Sequence, residues 1–137
     1  MGAWGSGIFE NDAALDLALD LHNQGGDYID KLIAMVAAFP EQGYLESDEA
    51  CMALAATEYV AASMGKPMAE LPGRVKDWIS ENNYQPADST LLLSIKAINR
   101  ILQNSELRDL WYEENEESAV DWVHSVEDIK ERISLLI

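Results

Sequence analysis

The sequence predicts a single all-α domain over residues 1–137: a bundle of six or seven helices entered through an irregular, glycine-rich N-terminal loop. Three observations carry this. Apolar residues recur at helical spacing along most of the chain. Glycine and proline fall between those segments rather than inside them. Few stretches are rich in β-branched residues, and no hairpin dipeptide such as Asn-Gly occurs.

Gly2, Gly5 and Gly7 make the opening irregular, and Asn11 or Asp12 caps a first helix reaching about Asn23. Leu15, Leu17, Leu19 and Leu21 alternate as strand residues would. Ala18 and the i, i+4, i+8 spacing of Asp12, Asp16 and Asp20 favour a helix instead, with a narrow polar stripe. Gly25-Gly26 ends it. The second helix, about Asp27 to Phe39, places Tyr28, Ile29, Leu32, Ile33 and Val36 on one face, and Pro40 follows. Ser47 is expected to cap the third, with Asp48 and Glu49 set favourably against the helix dipole. Its alanine-rich body, Ala50 to Met64, carries one charge and reads as the central helix, closed by Gly65. Pro72-Gly73 opens a short fourth helix through Trp78 to about Glu81. After the turn at Tyr84-Gln85-Pro86, Asp88 is expected to cap a fifth, with Leu91, Ile95, Ile98 and Leu102 in helical register. Ser105 starts a brief sixth in which Leu107, Leu110 and Trp111 share a face. The last helix, about Glu116 to Leu136, repeats Ala119, Trp122, Val126, Ile129, Ile133 and Leu136.

A chain of 137 residues and 15.2 kDa suits one domain. Folded, it would expose roughly 7,100 Å² against about 22,000 Å² when extended, enough burial for a core without disulfide staples. A composition 48% hydrophobic and 25% charged is globular rather than disordered. Its net charge is −16, which excludes most nucleic-acid and anionic-membrane binding, because phosphate recognition needs clustered Lys and Arg. Residues 1–65 hold eleven carboxylates and only Lys31, giving −10; residues 66–137 hold fourteen carboxylates and eight basic groups, giving −6. The field steers towards a cationic partner, so the expected partner is a basic protein.

Cys51 is the single cysteine, so neither an intramolecular disulfide nor a cysteine zinc cluster can form, and a small buried hydrophobe is the better reading. No secretory signal is visible at the N-terminus, and the longest weakly charged run, Ala50 to Met64, is too short to span a bilayer. A cytoplasmic protein is expected. Met1 to Ser6 fits the loose myristoylation pattern but lacks the polybasic second signal that stable anchoring needs.

Gly5-Ser6-Gly7 ahead of a helix invites a phosphate-loop reading, since backbone amides at a helix start attract anions. No strand precedes it and the Lys-Ser/Thr pair is missing. The structural reading is that the glycines let the loop turn while Trp4 and Phe9 plug into the core. The run Met1-Gly2-Ala3-Trp4-Gly5-Ser6-Gly7-Ile8-Phe9-Glu10-Asn11-Asp12-Ala13-Ala14 resembles the opening of a group of small bacterial proteins, domain-of-unknown-function family 4259. Ser105 to Trp111 resembles that family's second recognisable stretch, and Trp122 with the last helix fits its ending. Ile8 stands where proline is often expected. The resemblance implies a short, stand-alone bacterial protein in which Trp4, Gly5, Gly7, Phe9, Asn11 and Asp12 form a structural motif. It carries over no catalytic residue.

The two histidines, His22 and His124, are far apart. Asp121 and His124 at i, i+3 make one carboxylate–histidine pair where a di-iron bundle needs two, so no metal and no cofactor are expected. The Asp12, Asp16, Asp20 stripe is not a looped Ca²⁺ ligand set. No nucleophile elbow occurs. Glu58, inside an apolar run, stands out as a carboxylate that burial would perturb; it is a general acid or base, one half of a structural ion pair, or a group pointing out between two apolar faces. Glu113, Glu114, Glu116, Glu117 and Asp121 gather five carboxylates beside Trp111 and Tyr112. That segment is either a solvated helix connection with Trp111 buried, or a partner surface combining charge with an aromatic anchor. The leading expectation is an acidic protein-binding module, of the immunity type that occludes a cationic cleft. The alternatives are a small-molecule-binding protein or minor enzyme with a pocket near Glu58 or His124, and a structural homo-oligomer.

Overall fold

The computed structural model describes residues 2–137, among which seven helices and no sheet are found. They are α1 (Asp12–Gln24), α2 (Asp27–Ala37), α3 (Ser47–Ser63), α4 (Gly73–Asn82), α5 (Asp88–Gln103), α6 (Glu106–Glu114) and α7 (Glu116–Ser134). The expected all-α bundle is the observed one. An isolated antiparallel bridge, Ala3 with Asn11, closes the N-terminal loop onto the start of α1.

Helix α3 is the centre. Eleven of its seventeen residues are buried, and all six other helices pack against it. A helix without a polar face must sit inside, and alanine lets its neighbours approach closely. Bulk comes from those neighbours: Leu17 and Leu21 of α1, Ile29 and Ile33 of α2, Ile98 and Ile101 of α5, Ile129 and Ile133 of α7 are all essentially inaccessible. Each such side chain contributes about 1.5–3 kcal/mol of transfer free energy. The buried face of α5 lies further round than the leucine–isoleucine spacing implies. Thr90, Leu91, Ser94, Ala97, Ile98 and Ile101 are buried, while Ile95 and Leu102 are half-buried at its edges. Ser94 enters the core because its hydroxyl donates to the Thr90 carbonyl at 2.7 Å.

Side-chain caps set three of the seven helix starts. Asn11 accepts from the Ala14 amide at 2.9 Å, Ser105 from Arg108 at 3.1 Å, and Asn115 from Ser118 at 2.7 Å. Asn115, in extended conformation, is the only residue between α6 and α7. Gly65, at φ +83°, ends α3 in a conformation that side chains disfavour. Two expected caps differ. Ala87 rather than Asp88 is the cap residue of α5, and Asp88 acts only as a charge in the first turn. Ser47 is the first residue of α3 rather than its cap, and its amide donates instead to Glu106 Oε1 of α6 at 2.8 Å.

That contact belongs to a strap. The Glu106 amide donates to the Leu45 carbonyl at 2.9 Å, and the Tyr44 hydroxyl donates to Glu106 Oε2 at 2.7 Å. Arg100 of α5 holds the same α2–α3 connection, donating to the carbonyls of Pro40, Gly43 and Asn104, with its guanidinium 5.5 Å from the Phe39 ring. The Ser47 amide and the Tyr44 hydroxyl hold the Glu106 carboxyl below its ordinary value of 4.5. A carboxylate with a depressed pKa stabilises the fold above its ordinary pKa, and that contribution is lost as pH falls through the depressed value. Glu106→Gln should therefore lower Tm at neutral pH and flatten the acid limb of the Tm–pH profile. An unchanged acid limb would remove Glu106 from the acid response.

Candidate functional site

The N-terminal motif is a junction. From the loop, Gly5, Ser6, Gly7 and Asn11 meet Cys51 and Leu54 of α3, Leu107 and Trp111 of α6, and Trp122 of α7 around a cavity of about 10 Å³. That is room for one water. The three stretches that carried the family resemblance thus converge in space, and what they build there is packing. Phe9 is buried, meeting the Tyr59 ring edge-on at 6.1 Å, but Trp4 is 59% exposed and does not plug the core. The bridge explains why. Side chains alternate across a two-stranded pairing, so with Ala3 half-buried its neighbour Trp4 points outward. Asn11 is buried, its amide donating to the Ile8 carbonyl at 3.2 Å, whereas Asp12 is exposed. The glycine loop does hold an anion, its own: the Gly7 amide donates to Glu10 Oε1 at 3.0 Å. A Cβ at Gly5 or Gly7 would strike the Glu10 carboxylate, so glycine there permits this close approach.

Glu58 is wholly buried and fully engaged. Arg132 of α7 grips it with both terminal nitrogens, at 2.6 Å to Oε1 and 3.0 Å to Oε2, and the Met68 amide adds a bond at 3.0 Å. Arg132 also donates to the Lys66 carbonyl at 2.8 Å and to Asp128 at 3.0 Å. Burial pushes the Glu58 carboxyl above its ordinary range, against the pull of Arg132 and the Met68 amide. Burial would lower Arg132, but Glu58 and Asp128 outweigh it and hold the guanidinium up. No part of Glu58 reaches the surface. The pair joins α3, α7 and the α3–α4 connection.

The acidic corner looks different. Glu113, Glu114, Glu116, Glu117 and Asp121 are all exposed, as is Tyr112 at 52%. Trp111 is only 7% exposed, so it is not a surface anchor: on α6 the residues three or four apart from Leu107 face the core, and Tyr112 takes the outer side. Two further groups join that sequence reasoning missed. The Glu106 contacts bring Ser47, flanked in sequence by Glu46, Asp48 and Glu49, onto the first residue of α6. Tyr44, 64% exposed, stands at that meeting point, its hydroxyl pushed up to about 12 chiefly by the Glu106 hydrogen bond, with Asp109 and Glu113 adding to it. The one sequence hint was an aromatic residue in a loop beside an acidic helix start. Arg108 lies 4.5 Å from the Tyr112 ring centre, with Asp109 3.5 Å away.

Among the described residues no three His, Cys, Asp or Glu side chains gather as a metal-holding group, and no helix is long and apolar enough to cross a membrane. His22 and His124 lie exposed on α1 and α7. Asp12 and Asp16 of the aspartate stripe are exposed, and half-buried Asp20 accepts from the Tyr28 hydroxyl at 3.3 Å.

Fold and surface together define a small all-α protein whose N-terminal motif closes the bundle and whose exposed Tyr44 stands beside Glu106, Asp109 and Glu113. The chain belongs to the family described as Domain of unknown function (DUF4259), whose model matches residues 2–125. No curated protein and no solved structure matches it.

Two measurements check these assignments. Glu58→Gln strands a part-buried guanidinium and should lower unfolding free energy by about 3 kcal/mol, whereas Glu58→Leu with Arg132→Met should recover most of that in urea titrations. Simple additivity of the single variants would mean the pair is uncoupled. Cys51 is buried and its thiol pushed up to about 12, so it should react with a disulfide reagent at pH 8 only through opening of the structure.

Proposed function

We propose that the protein acts by binding a basic protein partner on its acidic surface, in the manner of an immunity protein that occludes a cationic cleft. The observation that carries this reading is the docking of the acidic start of α3 on Glu106 of α6, which sets exposed Tyr44 beside Glu106, Asp109 and Glu113. A net charge of −16 accelerates encounter with a cationic surface, while aromatic contacts slow dissociation. Carboxylates spaced along α6 would occupy positions that nucleic-acid phosphates take in the partner's cleft. The reading takes the encounter to occur in a bacterial cytoplasm. The same charge on every copy opposes a homo-oligomer. A Glu58-centred enzyme site has no free carboxylate oxygen to work with.

The test is capture from the native cell lysate at low and high salt, run in parallel with a variant in which Glu113, Glu114, Glu116 and Glu117 are changed to lysine. The wild type should retain one basic protein that leaves as salt rises, and the variant should not. The captured protein's own activity should fall when wild type is added back. Tyr112→Ala should weaken the complex by about tenfold or more. Capture that survives charge reversal, or no capture at either salt, overturns the proposal.

A further inference from the structure

Away from the acidic corner, α1 and α4 both pack on α3 but not along one another, and between them lies an open groove of about 690 Å³. That volume falls in the range of small-molecule sites. Its walls are mainly apolar: Leu15, Ala18 and Leu19 from α1 and Trp78 from α4, over the Tyr59 ring of α3. Leu15 and Leu19 are 38% and 68% exposed. The Trp78 indole is fixed in place, edge-on to Tyr59 at 5.5 Å and tilted against Tyr84 at 5.9 Å.

Two contacts give the groove a direction. Arg74, in the first turn of α4, lies 5.9 Å from the ring centre of Phe9, just ahead of α1. Gly26, just beyond the far end of α1, packs against Trp78 and Tyr84 at the far end of α4, so closely that a Cβ there would strike the Tyr84 ring. The two helices therefore run the same way, and their walls meet at both ends. From Arg74 to Glu81 the trough is about 10 Å long at 1.5 Å per helical residue. A trough closed at that length suits a small molecule, whereas a partner's helix would have to ride over both ends.

Charge along it is uneven. Arg74 stands at the Phe9 end. Asp77 and Glu81 follow on the same side of α4, with His22 on α1, and neither carboxylate has a cation within salt-bridge distance among the described residues. The C-termini of α1 and α4, each carrying partial negative charge, lie at that far end too. The net charge of −16 adds a field of the same sign. That end attracts a cation and repels carboxylates, phosphates and a second copy of this chain.

We propose that this groove binds a small organic monocation with an apolar body, such as a primary ammonium on an aliphatic chain. The ammonium sits by Asp77 and Glu81, beside the Trp78 ring, and the body lies along Leu19, Leu15 and Tyr59. Arg74 at the other end repels a second positive charge, so diamines and polyamines are disfavoured. The groove is separate from the surface assigned to a protein partner, and either assignment can fail without the other.

The experiment is calorimetric titration of the full chain with octylammonium, and in parallel with 1-octanol and octanoate, at pH 8 and constant physiological ionic strength. The Trp78 indole resonance is followed by NMR as a local reporter. Octylammonium should bind at one site, shift that resonance, and outcompete octanol by about tenfold, with octanoate weakest. Asp77→Asn with Glu81→Gln, both at exposed positions, should remove that preference while leaving octanol binding unchanged. Glu127→Gln, an equally exposed carboxylate on α7, should leave the preference in place. Leu19→Ser should weaken octylammonium and octanol alike. Equal binding of octylammonium and octanol would mark a bare apolar face suited to a protein partner and overturn the proposal. A preference that survives the Asp77, Glu81 double variant, or that Glu127→Gln erodes as much, would trace it to the field of the whole chain and overturn it too. So would the absence of any Trp78 response to millimolar octylammonium.

Discussion

Helix α3 has no solvent-facing stripe to orient it, so its rotation and its register along its own axis have to be set by something other than amphipathicity. Small apolar side chains on every side would pack nearly as well after a slide or a turn. The polar contacts at its two ends remove that freedom. Glu106 of α6 receives its first amide, and Glu58 in its second half locks into the fork of Arg132 on α7. A buried charge pair adds little to stability against an apolar replacement of equal shape, but it penalises every arrangement that separates the partners. The cost of a misplaced α3 is thus concentrated in one carboxylate. The surrounding helices supply bulk, and these two contacts supply direction.

The same economy governs the loop that opens the chain. Its glycines admit the Glu10 carboxylate, its Asn11 caps α1, and its underside roofs the small space between Cys51, Trp111 and Trp122. Residues that look like a ligand loop in one dimension are satisfied within the chain itself. The family's recognisable features therefore report how the bundle is closed, and functional chemistry has to be sought where groups are left unsatisfied. One such place is the face of α6 that meets the start of α3, where Glu106, Asp109 and Glu113 are held beside Tyr44 at an electrostatic cost.

Helix positions, the central role of the alanine-rich segment and the caps at Asn11 and Ser105 were legible from the sequence, because helical periodicity and capping act over a few residues. The buried state of Phe9, Leu107 and Ile129 followed from the same local patterns. The fate of Trp4, Trp111 and Glu58 did not. Trp4 faces out because a bridge to Asn11 sets its side of the chain, and Trp111 faces in because Leu107 and α7 claim that side of α6. Partners separated by 74 positions, as Glu58 and Arg132 are, leave no mark on local spacing.

What the sequence determined by itself was the class of fold, the rough boundaries of each helix and an acidity that selects among partners. These depend on local backbone preference and on total charge, which do not require knowing what lies beside what. The tertiary structure alone decided that Glu58 is a structural anchor, that the acidic start of α3 joins the α6 face around Tyr44, and that Tyr59 and Arg74 share a groove. Each of those is a meeting of residues brought together by the packing of helices around α3, and the energy that brings them together is spread over the whole core.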